Sequence, residues 1–92
     1  MELADLDKRA QLILAKADEA GWAAWTESGE DAERCVVCIA PSRNEPTVVT
    51  AVWERDPASG KTIFLEAEAD GRDLPGPSAV LSFLMEEIER LG

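Results

Sequence analysis

Two stretches, Thr47-Val48-Val49-Thr50-Ala51-Val52-Trp53-Glu54-Arg55 and Lys61-Thr62-Ile63-Phe64-Leu65-Glu66-Ala67-Glu68-Ala69, joined by Asp56-Pro57-Ala58-Ser59-Gly60, decide the fold. The first is rich in β-branched residues, which suit a pleated surface. The linker is a turn: proline pre-sets its own φ, and glycine accepts a positive φ. The last stretch alternates. Ile63, Leu65, Ala67 and Ala69 fall on one side, and Thr62, Phe64, Glu66 and Glu68 on the other. That pattern predicts a hairpin partner with one wetter face.

Upstream, Arg34 to Ala40 predicts another strand, stopped by Pro41 and followed by the loop Ser42–Pro46. Its unbroken apolar run, Cys35 to Ile39, is the pattern of a strand covered on both faces. Trp22 to Thr26 reads either as a short strand or as a crossing segment; in a strand, Trp22 and Trp25 would face opposite sides. Glu27 to Asp31 is a polar loop, and Asp70 to Pro77 is a loop dense in turn formers. Helices bracket the strands. Leu3, Leu6, Ala10, Ile13, Ala17 and Ala20, with Leu14 beside them, form one stripe that Gly21 is placed to end. Val80, Leu81, Leu84, Ile88 and Leu91 form a second stripe over Ser78 to Leu91, with Glu86, Glu87 and Glu89 facing water. The expectation is one α+β domain over residues 1–92, α-(β)-β-β-β-α, an antiparallel meander with two helices packed on one face. The order αβββα also occurs in double-stranded-RNA-binding domains, but order alone transfers no function.

Composition narrows the function classes. The 92 residues include 19 Asp and Glu against 9 Lys and Arg, a formal charge of -10, and no His. Phosphate contacts need clustered Lys and Arg, so direct nucleic-acid binding is not expected. Without His there is no imidazole ligand and no base that titrates near neutrality untuned. Ser and Thr have no His beside them, and no carboxylate pair is singled out by spacing, so no catalytic residue, cofactor or metal site is expected. Hydrophobic residues make up 46% of the chain, as in a globular domain rather than a disordered one. No run approaches the roughly 20 apolar residues of a membrane span. The acidic stretch Met1–Asp7 lacks the basic start of a secretory signal, so reduced thiols and a cytoplasmic location are expected.

Cys35-Val36-Val37-Cys38 has the spacing of a redox pair. Within a strand, positions three apart point to opposite faces and lie roughly 10 Å apart, whereas a disulfide needs Cα atoms within about 7 Å. Structural zinc needs four ligands, and calcium needs a longer oxygen-bearing loop than Asp70–Asp73. Both cysteines are therefore expected as core thiols. Leu74-Pro75-Gly76-Pro77-Ser78 reads as a rigid helix-entry turn. Trp53 is expected in the core. One of Trp22 and Trp25 facing outward beside Glu27, Glu30, Asp31 and Glu33 would make an interaction hot spot.

The stretches Ile39-Ala40-Pro41-Ser42-Arg43 and Glu66 through Ser78, with the acidic, Ala- and Arg-rich character of the whole, resemble small acidic proteins encoded by phages of actinobacteria. That resemblance implies a phage protein in a bacterial cytoplasm that binds and alters a host protein. The expected function is a non-catalytic protein-binding module. Two alternatives stand beside it. One is a self-associating, dimeric structural protein. The other is an acidic nucleic-acid mimic that inhibits a DNA- or RNA-binding protein.

Overall fold

The computed structural model describes residues 3–27 and 33–91. A 3-10 turn (Leu3–Asp5) leads into α1 (Lys8–Glu19), followed by β1 (Ala23–Glu27), β2 (Arg34–Ala40), β3 (Val49–Arg55), β4 (Thr62–Ala69), β5 (Arg72–Leu74) and α2 (Pro77–Leu91). The strands form one antiparallel sheet in the order β1-β2-β3-β4-β5. The two helices pack on each other and on one face of the sheet. The expected α+β meander is therefore present, and the ambiguous segment after the first helix is a strand.

Local chemistry sets the ends of α1. Asp7 is extended, and its carboxylate accepts the Ala10 N–H at 3.0 Å, so the helix begins at Lys8 rather than at Leu3. At the other end Gly21 takes φ 78°. There the Gly21 N–H donates to the Asp18 carbonyl at 3.0 Å, and the Trp22 N–H donates to the Ala17 carbonyl at 2.8 Å. This paired closure satisfies the last carbonyls and turns Trp22 back onto the core.

The core lies between the helices and the sheet. Ala10, Ile13 and Ala17 of α1, and Val80, Phe83 and Leu84 of α2, meet Val37, Ile39, Val49, Ala51, Trp53, Ala67 and Ala69. Alanine on both sides lets the layers approach closely. Trp53 is enclosed as expected and stands edge-on to Phe64, with ring centroids 5.3 Å apart and planes at 80°.

Several expectations are corrected. The alternation of β4 breaks. Val52 pairs with Glu66 but Trp53 pairs with Phe64, so Leu65 is a surplus residue, a β-bulge. Phe64 therefore joins Ala67 and Ala69 on the helix side, while Ile63 and Leu65 are exposed. The loop after Ala69 contains β5. Asp70 and Gly71 both take positive φ, 53° and 75°, which suits a two-residue hairpin turn. Ala20 lies just past α1, at its C-cap, and is exposed. In α2, Leu91 is exposed and Phe83 is buried, so the packed stripe runs from Val80 to Ile88. Glu87 is mostly shielded rather than facing water, and it pairs with Arg90. The expectation that β2 is covered on both faces holds over its second half, where Val37 and Ile39 are buried on the helix side and Cys38 and Ala40 on the other; at its start Arg34 is exposed and Val36 half-buried.

Leu84 is fully enclosed and Leu12 is 59% exposed. Leu84→Ala is expected to cost about 2–5 kcal/mol by urea unfolding, and Leu12→Ala under about 0.5 kcal/mol. Deleting Leu65 removes the surplus residue without turning Phe64 outward. It is expected to leave a cooperative transition, whereas deleting Ala67 throws its neighbours off the core face and abolishes one.

Candidate interaction face

Strand register defines the face of the sheet opposite the helices. Trp25, Cys38, Thr50, Glu68 and Asp73 form one row across all five strands. Glu27, Val36, Val52 and Glu66 form the next, and Arg34, Glu54 and Ile63 a third. These positions alternate with the core residues of the same strands, so they point away from α1 and α2. Trp25, Val36, Cys38, Val52 and Ile63 make its middle apolar. Among the described residues no helix or strand packs over it.

One loop side chain does reach this face. The Arg43 guanidinium lies over the Trp25 ring, 4.5 Å from its centroid, in a cation–π contact. Its loop is tightened by the Glu45 N–H donating to the Ser42 carbonyl at 3.2 Å, and by the Ser42 hydroxyl donating to the Glu45 carboxylate at 3.2 Å. Charge divides across the face. Arg34 and Arg43 stand on the β1–β2 side with Glu27, while Glu66, Glu68 and Asp73 stand on the β4–β5 side.

The two thiols face opposite ways. Cys35 is on the helix side with the core, and Cys38 is in the row with Trp25. Both are free and buried. Burial pushes the Cys38 thiol above its ordinary value; the Glu27 charge and the hydrogen bond to Glu27 push it further, and Arg43 opposes them. Burial also raises Cys35. A raised thiol is a poor nucleophile at neutral pH. Among the described residues no group of three or more His, Cys, Asp or Glu is placed to hold a metal.

The structure divides the sequence-predicted interaction set. Trp25 and Glu27 lie together on the helix-free face. Trp22 is half-buried against the core on the other side. Glu33 is exposed at the entry to β2, where its carbonyl accepts the Arg55 N–H at 2.8 Å. Glu30 and Asp31 lie outside the described residues. Sequence reading missed Arg43, Val36 and Val52. The period of two would have marked both valines once the two helices were assigned to one side of the sheet. The loop contact of Arg43 has no periodic signal.

No protein-family model matches the chain, and no curated protein matches it. Among the described residues no helix is long and apolar enough to cross a membrane.

The thiols give a testable pH dependence. Both folded values lie above the ordinary thiol value of 9.0, so the folded state holds protons that the unfolded state releases first. Their contribution to stability is complete below pH 9.0 and is lost as pH rises above it. Urea midpoints measured across that range are expected to fall more steeply for the wild type than for a Cys35→Ala, Cys38→Ala double variant.

Proposed function

We propose that this chain is a non-catalytic protein-binding module that docks its partner on the helix-free face of the sheet. One observation carries the reading: half-buried Trp25, Val36 and Val52 and exposed Ile63 form an apolar patch with charged residues around it, and among the described residues no helix or strand packs over it. Exposed apolar patches with polar rims are characteristic of docking surfaces. The Trp25–Arg43 pair supports it further, since Trp and Arg dominate interface hot spots. Resemblance to actinobacteriophage proteins supports a host protein in the bacterial cytoplasm as the target.

The test is retention of partners from an actinobacterial lysate by immobilised wild type, Trp25→Ala, Val52→Lys and Leu12→Lys. Leu12 lies on α1, on the other side of the molecule, and serves as the control. A stoichiometric partner held by the wild type and Leu12→Lys, and lost by Trp25→Ala and Val52→Lys, is expected. The expected partner stays bound in high salt, because an apolar contact is not screened. Equal retention by Val52→Lys removes the face from consideration.

A further inference from the structure

We infer that the open edge of the sheet, strand β1, pairs with the β1 of a second copy of this chain and joins two five-stranded sheets into one. The inference does not rest on the docking reading of the helix-free face. It follows from the backbone groups that the fold leaves unused.

One hydrogen bond sets the ladder. The Arg55 N–H donates to the Glu33 carbonyl at 2.8 Å. Along an antiparallel strand, residues alternate between bonding to the neighbour on one side and to the neighbour on the other. Counting on from Glu33, Cys35, Val37 and Ile39 bond to β3, and Val36, Cys38 and Ala40 bond to β1. Their opposites in β1 are Glu27, Trp25 and Ala23. The N–H and C=O of Ala24 and Thr26 therefore point away from the sheet. Among the described residues neither has a backbone partner there. Groups laid out in this way are met by another extended strand.

The two edges differ. β5 has three residues, of which Arg72 and Asp73 are exposed, and Pro75 follows it. Shortness, charge and proline blunt an edge. β1 has five residues, and Ala23 to Thr26 hold no charge, no proline and no bulge.

β1 is complementary to itself. A two-fold axis through the sheet at Trp25 sets Ala24 opposite Thr26 of the second copy and Thr26 opposite its Ala24. Every outward N–H then meets an outward C=O. Moving the axis to Ala24 would set Thr26 opposite Trp22, whose N–H already donates to the Ala17 carbonyl at 2.8 Å. With the axis at Trp25, the two copies of Trp25 form a non-hydrogen-bonded pair, with Cα atoms about 4.5 Å apart, where aromatic side chains pack across strands. Ala23 stands opposite Glu27 of the second copy. Arg43 lies over Trp25, and its loop leaves β2 at Ala40, which pairs with Ala23. Each Arg43 thus approaches from the end of the ladder where the other copy places Glu27. The contact joins opposite charges and occurs twice, and the two Arg43 side chains come from opposite ends.

The test is sedimentation velocity from micromolar to millimolar protein, in salt that screens the repulsion between two chains of charge -10. Wild type, Thr26→Pro and Val52→Lys are compared, with circular dichroism to check folding. Thr26→Pro removes an outward N–H and no bond of the β1–β2 ladder. The wild type is expected to show a reversible monomer–dimer equilibrium, weak because one short strand makes a small interface. Thr26→Pro is expected to stay monomeric. Val52→Lys, on β3, is expected to dimerise as the wild type does.

Crosslinking reads the register and does not depend on Thr26→Pro folding. In a Cys35→Ala, Cys38→Ala background, Trp25→Cys and Glu27→Cys are each oxidised with copper phenanthroline. Trp25→Cys is expected to form a disulfide-linked dimer, because the paired Cα atoms lie within disulfide range. Glu27→Cys is expected to stay monomeric, because the two Glu27 positions lie about 14 Å apart along the ladder.

A wild type that stays monomeric at millimolar concentration overturns the second copy as occupant. A folded Thr26→Pro that dimerises like the wild type, or a Val52→Lys that no longer dimerises, takes the contact away from the β1 edge. A Trp25→Cys that links no faster than Glu27→Cys overturns the register. None of these results decides the docking reading, which fails only if Val52→Lys leaves partner retention unchanged.

Discussion

The β3–β4 hairpin is held to two registers at once, and much of the molecule follows from how that conflict is resolved. At one end the turn fixes Arg55 opposite Thr62. There the Asp56 N–H donates to the Lys61 carbonyl at 2.8 Å, and the Asp56 carboxylate accepts from the Ala58 N–H at 3.1 Å and the Ser59 hydroxyl at 2.9 Å. At the other end Val49 pairs with Ala69 and Ala51 with Ala67, small residues that let both helices settle on the sheet. The two registers differ by one residue, and Leu65 absorbs the difference. A bulge forfeits part of the ladder, roughly 0.5–1.5 kcal/mol for one hydrogen bond. Either uniform register would cost more, because it would move every side chain of one half to the wrong face.

The bulge also decides what each face carries. It brings Phe64 onto Trp53 and adds an aromatic wall to the core. The same half-turn puts Ile63 on the helix-free face, in the row with Arg34 and Glu54. Regular alternation would have buried Ile63 and Leu65 and turned Phe64 away from the helices. The apolar patch beside Val52 is thus the other side of the packing solution around Trp53.

Helices, the β2–β3–β4 meander and the turn were legible in the sequence because each has a local signal. The stripes of α1 and α2 repeat at the helical period, and Asp56 to Gly60 carries its own turn chemistry. The bulge was not legible. It arises from a mismatch between two distant pairings, and no window on β4 contains both. The strand β5 was missed for a different reason: Asp70-Gly71 is itself a hairpin signal, but the turn formers on both sides of it masked three strand residues. At the candidate face, Trp25 and Glu27 followed from residue type and position. Arg43 did not, because its contact with Trp25 crosses from a loop to a neighbouring strand.

The charge of the chain takes on a different meaning once the faces are known. Read as a total, -10 describes a solvated exterior or a mimic of nucleic acid. Read by row, it is uneven. Glu66, Glu68 and Asp73 crowd the β4–β5 half of the helix-free face, Glu54 stands on its central strand, and Arg34 and Arg43 share the β1–β2 half with Glu27. One alternation along the strands therefore gives the five-stranded sheet two unlike faces, a packed side that holds the fold and a helix-free side that carries Trp25, Val36, Val52 and Ile63.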